Sequence, residues 1–322
     1  MSTIDDIPVR SRSSHPRRPV LVGVVVGLCA ALAAAAGHLI APTGEPPSTN
    51  LSTQPAPTAV PSPPAAATPN LVPPTPITYW PSASTTGVPA GTVLRNSSGL
   101  TLRTAGQVVT GLNIVGCVTV AASNVRITRS RITCNSIAYS VRVLTGFRNL
   151  VLEDVEITGS GVTSAAVCCS DFTIRRANIH RVIDGPRMGS NTTIVDSYLH
   201  DLSRQTGTHN DSLQTTGGSN ILIQHNRIDT YNATLRDPMN ACLMLGSSSG
   251  RVTNLLMTDN YCNGGNYSIG ISPTLAATNV RFTRNKFGRD YRYGVCARPT
   301  QPGVFWERST NVWFDTGLPV IP

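Results

Sequence analysis

The side chains best suited to chemistry lie between His180 and Asp237. The imidazoles there include His180, His200 and His209, and the guanidiniums include Arg187, Arg204 and Arg236. Carboxylates are supplied by Asp184, Asp211, Asp229 and Asp237, and an amide by Gln214. The planar fork of arginine matches a carboxylate, so Arg187, Arg204 or Arg236 suits the uronate of an acidic polysaccharide. Lyase-type β-elimination also needs a base for the proton α to that carboxylate and a cation for the enolate. His209 or His200 is the candidate base. Asp211 could orient His209, or help hold Ca²⁺ with Asp237. Hydrolysis would instead use two carboxylates, Asp184 and Asp211, with their separation setting the stereochemistry.

Plainer roles compete. Outward polar ladders on stacked strands hydrogen-bond to one another without any ligand. Asp211 can cap the entry to a strand through backbone N–H groups, and Asp237-Pro238 reads as a turn. The catalytic set is therefore His200, His209, Asp211 and Arg187. The ligand-binding set is His180, Asp184, Arg204, Gln214, Asp229, Arg236 and Asp237.

The elements that must position these residues repeat. Seven segments align without gaps, among them Phe172-Thr-Ile174-Arg-Arg-Ala177-Asn-Ile179, Thr192-Thr-Ile194-Val-Asp-Ser197-Tyr-Leu199 and Ile221-Leu-Ile223-Gln-His-Asn226-Arg-Ile228. The first two apolar columns have strand spacing, and the third changes parity, which needs a bend. Asn226, Asn260 and Asn285 hold the bend column, where asparagine tolerates a left-handed conformation. A weaker strand precedes each segment, as in Leu213 to Thr215. No coil can bury its face alone, so stacking must build the core. A β-sandwich also has many short strands but would not repeat one template.

The apolar columns fix a register. Ile174 to Ile194 is the tightest interval; Ile194 to Ile223 and Ile223 to Met257 are long, and their surplus becomes loops. The position after the third column reads Thr158, His180, His200, Asp229, Asn263, which stacks both imidazoles and Asp229 at a spacing of about 4.8 Å.

This template, with asparagines at the bend, resembles the pectate-lyase-like right-handed parallel β-helix superfamily. Gly207-Thr-His209-Asn-Asp211-Ser-Leu-Gln214 is similar to the H-x-D-x-x-Q run of secreted bacterial β-helix proteins. Asn263-Gly-Gly265 and the stretch from Phe287 to Gly294 also resemble that group. The likeness covers about residues 90 to 315. It implies an all-β, single-stranded right-handed parallel β-helix of about eight coils. It implies no single activity, since lyases, hydrolases, epimerases, esterases and inactive adhesins share the fold. The N-T-D, D-D, G-H-G and R-I-K set of polygalacturonases is missing, as are D-P-H-E and the pectate lyase motifs around the catalytic arginine.

Composition divides the 322 residues into four parts: a tail (1–19), an apolar run (20–41), a Pro/Ala/Thr-rich linker (42–77) and the β-helix domain (78–322). The run Val20 to Ala41 suffices to cross about 30 Å of hydrocarbon as a helix. Arg10, Arg12, Arg17 and Arg18 before it place the N-terminus in the cytoplasm. The expectation is a single-pass cell-membrane protein with its C-terminal domain outside. The alternative is secretion after cleavage near Ala34-Ala35-Ala36. The linker is extended, at about 3.1 Å per residue in its Pro-dense parts, and could hold the domain roughly 100 Å away.

Net charge is +9, nearly all from arginine, with Lys286 the one lysine. A cationic surface outside the membrane points to acidic polysaccharide or wall polymer, not nucleic acid. Seven of the eight cysteines follow the apolar run, where disulfides persist. The odd number leaves at least one thiol unpaired within the chain, beside two or three staples between neighbouring coils. Two classes of function remain: an anchored enzyme that cleaves or epimerises an acidic polysaccharide, and a non-catalytic surface module that binds glycan or wall polymer.

Overall fold

Each repeated segment folds as two short strands about a bend. Phe172–Arg175 and Asn178–His180 form one such unit, and Thr192–Val195 and Tyr198–His200 the next. Phe172 and Ile174 are buried while Thr173 between them faces outward, as the two-residue period of a strand requires. The computed structural model describes residues 79–322. The tail, the apolar run and the linker, with the expected membrane crossing, lie outside the described residues.

The aligned columns are the pairing register. Ile127, Leu152, Ile174, Ile194, Ile223, Met257 and Phe282 pair in succession, every pair parallel. So do Ile132, Ile157, Ile179, Leu199 and Ile228 on the second face. The preceding strands make a third face, where Leu213 pairs with Leu243 and Leu243 with Ile269. Described strands form sheets of nine, twelve and four. Leu112–Val120 is long enough to turn a corner, which joins the first coils of the third face to the twelve-stranded sheet. No helix occurs among the described residues. The fold is all-β and parallel-β-helix-like, and one column of Ile, Leu, Val and Phe fills its core.

The bend differs from expectation in one respect. The left-handed residue is not the asparagine but the one before it: His225 (φ 51), Asp259 (φ 58) and Arg284 (φ 52). That turn sends Asn226, Asn260 and Asn285 inward, where all three are fully buried. Asn260 Nδ2 donates to Ile223 O (3.0 Å), Thr258 O (2.8 Å) and Asn285 Oδ1 (3.0 Å), and its Oδ1 accepts from Asn226 N (2.9 Å). The asparagines thus satisfy backbone groups that the bend removes from the sheets. The outward left-handed column alternates in sign, and its members pair: Arg176 with Asp154, His225 with Asp196, and Arg284 with Asp259, each at 2.7 Å.

Disulfides join Cys117 to Cys134 and Cys242 to Cys262. The third, Cys168–Cys169, is vicinal and so staples no two coils, which leaves two longer links where two or three were expected. Cys296 is the unpaired thiol among the described residues, and burial pushes its pKa up to about 12.

Candidate functional site

The third face carries a cleft of about 510 Å³. Tyr139, Arg187 and Gln214 line it together with Cys168, Cys169, Ser190, Thr216 and Ser249. Segment 184–188 bridges the strands on either side: Arg187 N donates to Val167 O (2.9 Å), and Met188 N to Gln214 O (2.7 Å). The floor is tight because two glycines meet there. A Cβ on Gly218 (φ 140) would lie 2.7 Å from the carbonyl carbon of Gly189.

Arg187 is the one charged residue in this lining. Its Nη2 donates to Asp184 Oδ2 at 2.7 Å, and its guanidinium lies 5.9 Å from the centre of the Tyr139 ring. Asp184 is only 6% exposed in its side chain, against 35% for Arg187. Burial alone would lower the Arg187 pKa, but the bond to Asp184 and its charge outweigh it, and the net shift is upward. This arginine is a fixed cation and not a base. Arg142 lies over the same tyrosine at 6.0 Å.

Behind Arg187 sits a second carboxylate. Asp211 is wholly buried. Its backbone N donates to Asp184 Oδ1 (3.0 Å), its Oδ1 accepts from Asn240 Nδ2 (2.6 Å), and its Oδ2 accepts from Gln214 Nε2 (3.0 Å). Burial pushes its pKa up to about 7, and the neighbouring Asp184 charge adds to the rise against those two amide bonds. The chain of amides continues outward: Asn266 donates to Asn240 Oδ1 (3.1 Å), and Arg292 to Asn266 Oδ1 (2.9 Å). The structure therefore brings together four of the sequence candidates: Asp184, Arg187, Asp211 and Gln214.

The remaining candidates stand elsewhere. His180 and His200 are paired in register and stacked, 5.2 Å between ring centres, and Tyr198 also stacks on His200 at 4.1 Å. His200 Nδ1 bonds Asp201 (2.7 Å), and Nε2 bonds Asn178 Oδ1 (2.8 Å). Burial lowers its pKa against the pull of Asp201. Both nitrogens face acceptor oxygens, and the neutral ring donates to one of them at a time; no imidazole lines the cleft. His180 bonds Glu156 at 3.3 Å, and this bond, against burial and aided by Arg131, holds the Glu156 carboxyl down at about 2. Asp229 accepts from Arg227 Nε (2.7 Å) and Tyr198 Oη (3.1 Å).

Arg204 grips Asp237 through Nε (2.8 Å) and Nη2 (3.1 Å), and reaches Asn210 Oδ1 (2.8 Å). It fastens one long loop to the next. Asp237 is held below the usual carboxylate range, first by Arg204. Arg236 and His209 are exposed, and His209 has no hydrogen bond to Asp211 among the described residues. A joint Ca²⁺ site on Asp211 and Asp237 does not fit, because their carboxylates are committed to different partners. No cluster of three or more His, Cys, Asp or Glu placed for a metal occurs among the described residues.

Sequence reading missed Tyr139, Arg142, the vicinal cysteines and the Asn240–Asn266–Arg292 chain. One signal existed: Val141 belongs to the strand column that Leu213 continues, so its neighbours share the third face. No protein-family model, curated protein or solved structure matches this chain.

Proposed function

We propose that this is an extracytoplasmic β-helix protein of the pectate-lyase-like, right-handed type that binds an acidic polysaccharide in the third-face cleft, held at a membrane by residues 20–41. One observation carries the reading. The cleft has a single charged lining residue, Arg187, and a nearly buried Asp184 fixes its guanidinium in place. A guanidinium held by a carboxylate behind it, with a tyrosine ring beside it, presents its remaining N–H groups as a fork for a ligand carboxylate. The net charge of +9 favours the approach of a polyanion.

Binding is the better-supported half of the reading. A lyase needs a base near the uronate, and the lining offers neither an imidazole nor a lysine. Hydrolysis is the second reading, favoured by Asp211, which keeps its proton to about pH 7 beside Asp184. A raised carboxyl of this kind suits a general acid, but Asp211 is wholly buried and bonded to Gln214.

The test is calorimetric titration of the full chain in detergent with pectate, alginate and hyaluronan, with dextran as the neutral control. The expected result is binding to at least one acidic polymer that weakens with salt and falls about tenfold in Arg187→Ala. Equal affinity for dextran, or binding indifferent to Arg187→Ala, refutes the cleft. Parallel assays for new reducing ends and new unsaturated ends separate hydrolysis, elimination and simple binding.

A further inference from the structure

Arg142, Cys168 and Arg187 stand level on three successive coils of the third face. Arg142 pairs with Cys168, and Arg187 N donates to Val167 O at 2.9 Å, which sets Arg187 beside Cys168 in turn. Neighbouring strands lie about 4.8 Å apart, so the two arginines are two rungs, roughly 10 Å, apart along the solenoid. A second column runs beside this one: Tyr139 pairs with Ala165, and Ala165 with Asp184. The middle coil thus presents two small, buried residues, Ala165 and Cys168. Longer side chains from the coils on either side meet across them. The Tyr139 ring centre lies 6.0 Å from the Arg142 guanidinium and 5.9 Å from that of Arg187.

The two guanidiniums differ in what holds them. Arg187 is bonded to Asp184. Asp184 has no oxygen to spare for a second arginine, since Oδ2 takes Arg187 and Oδ1 takes Asp211 N. Arg142 is exposed, lies outside the cleft lining, and makes no ion pair or side-chain hydrogen bond among the described residues. A tyrosine face attracts a cation at such a site only weakly, and two like charges gathered around one ring repel. The planar fork of Arg142 is therefore left open beside a cation of the same sign. An anionic group is the partner that satisfies it.

We infer that Arg142 is a second anion contact, and that the ligand is a chain with at least two acid groups that lies along the solenoid, one group on Arg187 and another on Arg142. The inference rests on the binding reading above and adds a specificity-determining residue to that same site. A short acidic sugar uses Arg187 alone. A longer chain already held at Arg187 offers its further acid groups to Arg142 at high effective concentration, so affinity rises with length without any new pocket.

The experiment titrates the full chain, in detergent, with galacturonate, mannuronate and hyaluronan oligosaccharides, from disaccharide to octasaccharide. In at least one series the affinity should climb about tenfold or more with length. Arg142→Ala should keep the wild-type melting temperature and disaccharide affinity, and climb less than about threefold over the same series, the residue of having more registers to bind in. Arg187→Ala should weaken every length. A climb that survives Arg142→Ala, an equal loss at all lengths in that variant, or a wild type indifferent to length each overturns the inference and leaves the acidic-glycan reading standing. If no acidic oligosaccharide binds, or Arg187→Ala changes nothing, the parent reading falls and this one with it.

Discussion

Arg187 Nη2 and Asp184 Oδ2 lie 2.7 Å apart at the point where one coil of the solenoid passes between two strands of its third face. The carboxylate is nearly buried and the guanidinium is about one-third open, so the pair has a structural side and a ligand-facing side.

Arg187 can therefore be tested on both sides. Arg187→Ala leaves Asp184 buried without its cation. The expected loss of stability is roughly 1–3 kcal/mol, below the value for a fully buried pair because water already reaches the arginine. Arg187→Lys keeps the charge but not the fork. It should recover most of the melting temperature and less of the acidic-glycan affinity. Full recovery of both would mean that charge alone matters.

Asp211 sets a pH dependence of defined sign. Its folded pKa of about 7 lies above the ordinary 3.8, so the folded state holds the extra proton between those values. Stability is greatest below the lower value, declines as pH rises through the interval, and levels off above about 7. Asp211→Asn removes the titration, and the Gln214 amide can turn to meet the new group. The difference in unfolding free energy between wild type and variant should move in favour of Asn by a few kcal/mol, on the order of magnitude only, between acid and neutral pH. A pH-independent difference would show that Asp211 ionises normally.

His200 is expected to serve the ladder and not the ligand. Both ring nitrogens face protein oxygens, Asp201 Oδ2 and Asn178 Oδ1, and the ring stacks with His180 and with Tyr198. His200→Ala should lower the melting temperature and leave acidic-glycan affinity within about twofold. Affinity lost in step with Arg187→Ala would return the histidine ladder to the binding site.

What the sequence made legible follows from where one physical constraint dominates. The core columns were readable because Ile174, Ile194 and Ile223 must all be buried at one register. Asp211 and Gln214 were found because a long coil carries them, and Asp184 and Arg187 because they follow His180 on the adjacent coil. The bend was misread for a reason of pairing. Propensity favours asparagine in the left-handed conformation, but neighbouring coils stabilise Asp259 and Arg284 there by an ion pair, which no single coil contains. Tyr139 and Arg142 escaped because their coil contributes to the cleft only after the turns stack.

The buried asparagine ladder makes a separate stability prediction. Asn260 donates to two backbone oxygens and to Asn285, and accepts from Asn226. Asn260→Ala strips partners from several buried groups at once. It should cost roughly 2–5 kcal/mol in denaturant unfolding. Asn311, which accepts from Asn285 Nδ2 at 3.0 Å, ends the ladder near the last coil, and Asn311→Ala should cost less. Equal and small effects at both sites would show that water replaces the side chains.

The segment just after residue 78 is fastened by a titratable group. His225 Nδ1 bonds Asp196 Oδ1 at 2.7 Å, while Nε2 points at the backbone oxygen of Tyr79 at 3.2 Å. A carboxylate and a carbonyl can only accept, so both bonds together require the doubly protonated ring. The bond to Asp196 leads the upward shift of the His225 pKa, against burial and with further help from the Asp196 charge and the Tyr79 carbonyl. Trp80 packs on the same ring at 5.9 Å and on Tyr261 at the same distance. The sign follows from a raised cationic pKa: the contact is fully present below 6.5 and is lost as pH rises through the higher folded value. Proteolysis at residues 79–81 should therefore quicken on the alkaline side of that titration, and Trp80 emission should change with it. His225→Gln can donate only through its amide and should show the fast cleavage at every pH. Cleavage that ignores both pH and this substitution would mean that Trp80 packing alone holds the segment down.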